Sequence, residues 1–211
     1  MAAPASKTLK DLNGKWSMNK QLSDSTDAGL AIQGIGYLTR KAIGLASISL
    51  TVKEYEGPAK EQAKQPSTKE HEGPAEEQAT QPSGPAGDGP FTHIDIWQSA
   101  AGLTSTEELR CLDDHARPHS DWLFGAVEGR SRWARLADVG DEYLGAGWLT
   151  TGDGNDDDVV FNHVVSMGNG WTATQVWGFQ DVGGERRHCR NVVIEKGAQR
   201  AEFRLVYDFV E

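Results

Sequence analysis

Residues Leu12–Tyr55, LNGKWSMNKQLSDSTDAGLAIQGIGYLTRKAIGLASISLTVKEY, decide how the rest of the chain is read. Leu12, Gly14, Trp16 and Met18 recur at period two, opposite Asn13, Lys15, Ser17 and Asn19, which predicts a strand with one apolar face. Ser23-Asp24-Ser25-Thr26-Asp27 supplies side-chain oxygens that start a helix near Ser25, and Gly34 is placed to stop it. A second helix resumes at about Tyr37, with Leu38, Ala42 and Leu45 on one face. From Ser47 the period returns to two, with Ile48, Leu50 and Val52 alternating against Ser49, Thr51 and Lys53. Two short helices between two strands are hard to bury in a plain sandwich. They suit a barrel that needs a lid over one open end.

Working outward, strands are expected from Phe91, over Leu103–Leu112, Asp121–Glu128 and Ser131–Leu136, and in a short piece at Trp148–Thr150. Asp113–Pro118 reads as a polar turn, and Ala137–Ala146 as a helical turn or irregular loop. Four long strands follow: Val159–Met167, Trp171–Asp181, Glu185–Glu195 and Ala201–Val210. Their glycine-bearing connections have the short form of antiparallel hairpins. The expected fold is mostly β, an up-and-down antiparallel barrel of about ten strands, since closure removes the edges that so many hairpins expose.

Residues 56–90 change character. Glu56–Ser67 recurs sixteen residues later as Glu72–Ser83, differing only at Lys60/Glu76 and Lys64/Thr80. Rich in proline and charge and poor in large apolar side chains, this segment reads as a disordered loop inside a single domain spanning 11–211, with 1–10 as a flexible N-terminus.

The formal charge of −10 and the lack of a basic cluster argue against nucleic acid or an anionic membrane as partner. Arg130, Arg132 and Arg135 around Trp133 are too small a group to alter that. No apolar run has the length of a signal peptide or a membrane span, so a cytoplasmic protein is expected. Cys111 and Cys189 lack metal-ligand spacing and read as reduced thiols. The acidic run Asp153–Asp158 lacks the ligand spacing of a calcium loop, and no nucleotide, zinc or hydrolase motif occurs, so no cofactor and no metal are expected.

Gly14-x-Trp16, the helix pair and the segment Gly34-Ile-Gly-Tyr-Leu-Thr-Arg-Lys-Ala42 resemble the N-terminal part of intracellular fatty-acid-binding proteins, of the calycin superfamily. Trp122-Leu-Phe-Gly125, Trp171–Phe179 and Arg204-Leu-Val-Tyr-Asp208 also resemble segments of fungal lipocalin-like proteins. The resemblance implies a ten-strand barrel whose helix-turn-helix covers an internal cavity for a fatty acid or similar ligand. It also implies a final-strand Arg-x-Tyr pair holding a carboxylate. Here Arg204 and Tyr207 stand three apart, on opposite strand faces, and that site is not carried over.

The residues themselves offer two sets of candidates. Trp97, Trp122, Gln175, Trp177, Arg190 and Tyr207 are candidate ligand contacts: aromatic walls with one amide and one cation that an anionic ligand group would meet. His93 and Asp95, two apart on one strand face, and His163 between Phe161 and Val165 are candidate acid/base groups, against the plainer readings of a polar exterior or a satisfied core histidine. Two functions stay open. One is binding of a small hydrophobic molecule, a lipid or secondary metabolite. The other is a cofactor-independent isomerase or cyclase acting on such a molecule in the same cavity.

Overall fold

The structure, a computed structural model, describes residues 1–59, 89–100, 105–150 and 158–211. The repeat-bearing loop lies almost wholly outside the described residues, as do the turn after Ala100 and nearly all of the acidic run before Asp158. Among the described residues no helix is long and apolar enough to cross a membrane.

The period-two start of the chain forms β1 (Gly14–Met18). The helix pair follows as α1 (Asp27–Ile32) and α2 (Tyr37–Leu45), and the next alternation is β2 (Ile48–Gly57). Then come β3 (Phe91–Ala100), β4 (Thr106–Cys111), β5 (Arg117–Asp121), β6 (Gly125–Arg135), β7 (Asp158–Ser166), β8 (Thr172–Asp181), β9 (Arg186–Lys196) and β10 (Gln199–Phe209). All ten strands form one antiparallel sheet in the order β4-β3-β2-β1-β10-β9-β8-β7-β6-β5. β1 pairs with both β2 and β10, so the first and last strands lie side by side, and the sheet curls into a nearly closed barrel whose free edges are β4 and β5. This is the expected up-and-down plan, with the helix-turn-helix between the first two strands.

Local chemistry explains the lid. Gly34 adopts φ +87°, the left-handed stop that ends α1. Thr26 at the N-cap makes no side-chain bond to the helix; Ser25 Oγ accepts from the Asp27 N–H instead, at 3.3 Å. Gly29 allows α1 to lie on the barrel mouth, because a Cβ there would come within 2.6 Å of the Phe203 ring. α2 buries none of its residues, and Leu38 and Leu45 are more than 80% exposed.

Two boundaries differ from expectation. β5 takes the last two residues of the segment read as a polar turn and runs on to Asp121, and β6 runs unbroken from Gly125 through Gly129 to Arg135, where two strands were expected. The chain reverses at Trp122–Phe124, where Asp121 Oδ1 accepts from the Leu123 and Phe124 N–H groups and Gly125 takes φ +71°. The side-chain acceptor and the left-handed glycine outweigh the apolar character of Trp-Leu-Phe. Trp148 makes only an isolated bridge to Gln180. Residues 1–10, read above as a frayed end, make defined contacts: Ala3 is buried and donates its N–H to Arg186 O (2.8 Å), and Met1 O accepts from Phe209 N–H (3.0 Å).

Inside the barrel, the end away from the lid is solid. Trp16, Leu50, Val52, Ile94, Ile96, Val160, Trp177 and Tyr207 pack as one cluster, and Trp16 Nε1 donates to Leu12 O at 2.8 Å. His188 sits among Trp16, Phe179 and Tyr207, with ring centroids 5.3–5.7 Å apart. A separate cluster outside the barrel packs Leu144, Tyr143 and Trp148 on Val159, Val176 and Val193, so the β6–β7 connection covers the outer face of the sheet.

Candidate functional site

Under the lid the same inward alternation uses smaller or polar side chains and leaves a cavity of about 580 Å³. Leu30 of α1, Gln33 at its C-cap and Ile43 of α2 roof it. Its apolar wall is Val127, Val164, Trp171, Ala173, Val192, Ile194, Phe203 and Leu205, joined at the mouth by half-exposed Trp122. Gly129 and Ser131 on β6 take up little room, which widens this end.

The floor is polar and borders the solid end. Arg190 is only 4% exposed, and its guanidinium stacks over the Trp177 ring at 3.9 Å, with the Tyr207 ring at 5.2 Å. Beside it, Arg110 binds Glu108 through Nη2 (2.8 Å) and Nε (3.3 Å) and also faces Trp177, at 5.2 Å. Burial pushes the Glu108 carboxyl up, but Arg110 and Arg190 outweigh it and hold the group below the ordinary range, as a carboxylate. Burial raises the Tyr207 phenol, which stays neutral. Arg117, also on the lining, is bound twice by Asp113 at 2.6 Å. Gln175 accepts from Trp177 Nε1 at 2.9 Å, which fixes its amide.

Two buried donors on the lining, Arg190 Nε and Trp171 Nε1, find no hydrogen-bond partner among the described residues; nor does Nδ2 of Asn162, which does not itself line the cavity. Asn162 uses its oxygen to accept from Ser131 Oγ at 2.6 Å. Both lining groups are donors, so a ligand that satisfies them brings acceptor oxygens.

Comparison with known proteins adds kinship to this geometry. No protein-family model matches the chain. The probable pericyclase scpY of Mollisia scopiformis is 30% identical over 99% of this chain and 95% of its own length. The chain belongs to that protein's family. Pericyclase pydY of an Acremonium species is 26% identical over 100% of this chain and 97% of its own length. A fatty-acid-binding protein structure from Echinococcus granulosus aligns over 95% of this chain and 98% of that one, at 12% identity and a TM-score of 0.49.

The sequence candidates fall into three places. Trp122, Gln175, Arg190 and Tyr207 line the cavity, and Trp177 lies beneath Arg190. Trp97, 40% exposed, shares the face of β3 opposite the buried Ile94 and Ile96. On that face His93 stacks on Tyr55 (5.0 Å, 7°), with Nε2 3.0 Å from Pro58 O and 3.8 Å from Cys111 Sγ. Asp95 pairs across the sheet with Lys53 and Leu109. His163 hydrogen-bonds Thr174 Oγ1 at 3.0 Å, and burial with nearby Arg130 lowers its pKa. None of His93, Asp95, His163 and Trp97 lines the cavity.

Glu108, Arg110, Arg117, Ser131, Asn162 and Trp171 were not singled out by sequence reasoning. In and just after β4, Glu108 and Arg110 share a face with buried Leu112, while Glu107 and Leu109 share the other with buried Cys111. Nothing local says which face of a strand with alternating charges turns inward.

Proposed function

We propose that this chain is a cofactor-free catalyst of an intramolecular pericyclic ring closure in a hydrophobic polyene. One observation carries the reading: an apolar wall of Val127, Trp171, Ala173, Val192, Ile194 and Phe203 meets a polar cluster of Glu108, Arg110 and Arg190 in one cavity. Kinship with the probable pericyclase scpY and with the pericyclase pydY supports it. A pericyclic closure redistributes π electrons around a ring of atoms in one step, and no proton or electron passes to or from the catalyst. Such a reaction asks the protein for shape and fixed dipoles rather than for an acid/base pair. His93, Asp95 and His163 do not line the cavity, whereas His115 and His119 do.

The volume lies within the roughly 300–1,000 Å³ common for small-molecule sites. Burying apolar chain against Val127, Ile194 and Phe203 contributes about 25 cal/mol per Å² of affinity. That burial holds the polyene folded with its reacting ends together, so the entropy of ring closure is met on binding. In this reading Trp122, Gln175, Arg190 and Tyr207 contact the substrate, Trp177 supports Arg190, and the chemistry takes place in the cytoplasm, in keeping with the free thiols of Cys111 and Cys189.

The test uses a synthetic trienone, a diene joined by a short alkyl tether to an alkene conjugated with a ketone. Ring closure is followed by loss of diene absorbance with and without purified protein. Saturable acceleration supports the proposal. Tight binding with recovery of the open trienone at the uncatalysed rate overturns it and leaves a carrier of hydrophobic molecules.

A further inference from the structure

We propose that Arg190 is the catalytic hydrogen-bond donor of this site, polarising a carbonyl oxygen conjugated to the alkene that reacts. This role rests on the pericyclic reading above. The arginines lining the cavity differ in what they hold. Arg110 is committed to Glu108, Arg117 to Asp113, and Arg40 to Asp27 and to Ile35 O. Arg190 has no ion pair among the described residues, and its Nε finds no acceptor. It is held by stacking on Trp177 and by its strand, not by a carboxylate. Glu108 lies close enough to feel its charge, but both bonds that place that carboxylate go to Arg110.

A buried cation without an acceptor is costly, and a ligand oxygen removes that cost. The same geometry favours the transition state. When a diene closes on an alkene bearing a carbonyl, three π bonds are consumed, two of the diene and one of the alkene; two carbon–carbon σ bonds form, and one new π bond appears between the central diene carbons. During that change, electron density moves from the diene toward the alkene and its carbonyl. The oxygen gains negative charge, so a fixed guanidinium binds it more strongly than in the ground state. Trp177 and the surrounding apolar wall keep water away, which strengthens the interaction.

The experiment compares wild type, Arg190→Met and Arg190→Lys with the trienone and with an unreactive analogue whose diene is saturated. The carbonyl stretch of the bound analogue is read by difference infrared spectroscopy, and its binding by tryptophan quenching. The expected result is a downward shift of the band in wild type, none in Arg190→Met, and an intermediate shift in Arg190→Lys. kcat for Arg190→Met falls about 10- to 100-fold, as for a charged hydrogen bond gained on the way to the transition state, with KM little changed. Arg190→Met removes an unsatisfied buried cation, so its Tm equals or exceeds that of wild type; Arg190→Lys carries the test if it does not fold. An unmoved band in wild type, or an unchanged kcat in Arg190→Met, overturns the assignment. A shifted band with no acceleration of the trienone by wild type overturns the pericyclic reading and the catalytic role, and leaves Arg190 as a carbonyl-binding residue.

Discussion

The two ends of the barrel are built from the same strands with the same inward alternation, yet one is solid and the other hollow. On β8, Trp177 and Phe179 fill the closed end, while Ala173 and Gln175 face the cavity. On β10 the division falls between Tyr207, buried against the plug, and Phe203, which lies under α1. The closed end carries stability through close-packed aromatic rings. The lid end gives up that packing for volume, and the charged layer of Glu108, Arg110 and Arg190 marks the border. Side-chain size along a strand, rather than strand order, separates scaffold from site.

Breaking the closed end should have the largest effect. Trp16→Ala removes a side chain that is 1% exposed, and chemical denaturation should show a loss of about 3–5 kcal/mol. Trienone turnover by the protein that remains folded should persist.

The next effect concerns His188, whose pKa burial and neighbouring Arg190 depress to about 3. Between that value and the ordinary pKa near 6.5, the unfolded chain takes a proton that the folded chain refuses, so stability is lost as pH falls. This site alone should remove about 2 kcal/mol between pH 6.5 and 5, and His188→Phe should flatten that part of the stability profile.

Glu54, also at the closed end, acts in the opposite direction. Burial, with Asp11 and Glu56 nearby, raises its carboxyl to about 7 although it accepts the Leu12 N–H at 2.8 Å. A carboxyl raised on folding destabilises the protein as pH rises from near 4.5 through 7. Glu54→Gln should therefore lift Tm by about 2–4 °C at pH 8 and leave it unchanged at pH 4.5.

The smallest change in stability is expected at the hollow end. Ala173→Phe fills free volume, so Tm should move by no more than about 2–4 °C, while trienone binding by tryptophan quenching is lost. A large loss of stability there would remove the distinction between the two ends.

Much of this division was legible in the chain. The Gly-x-Trp strand, the helix pair stopped at Gly34 and the shift of period at Ser47 follow from local chemistry, and the structure has all three. The β5–β6 hairpin was displaced because Asp121 and Gly125 set the turn while Gly129 serves as a narrow strand position. Period two sorts residues into faces without saying which face is inside. Arg190 could therefore be named, yet not distinguished from a cation on the exterior. Its lack of an acceptor depends on Glu108 being bound to Arg110, its neighbour two residues on in the same strand, rather than to Arg190 of β9, a choice between two cations that strand spacing does not encode.

The most direct measurement is the enantiomeric excess of the ring-closed product formed from the trienone with wild-type protein. A cavity that folds the chain against one asymmetric wall, with its oxygen fixed at the floor, is expected to deliver predominantly one enantiomer. A racemic product formed at the rate seen in buffer would contradict the account.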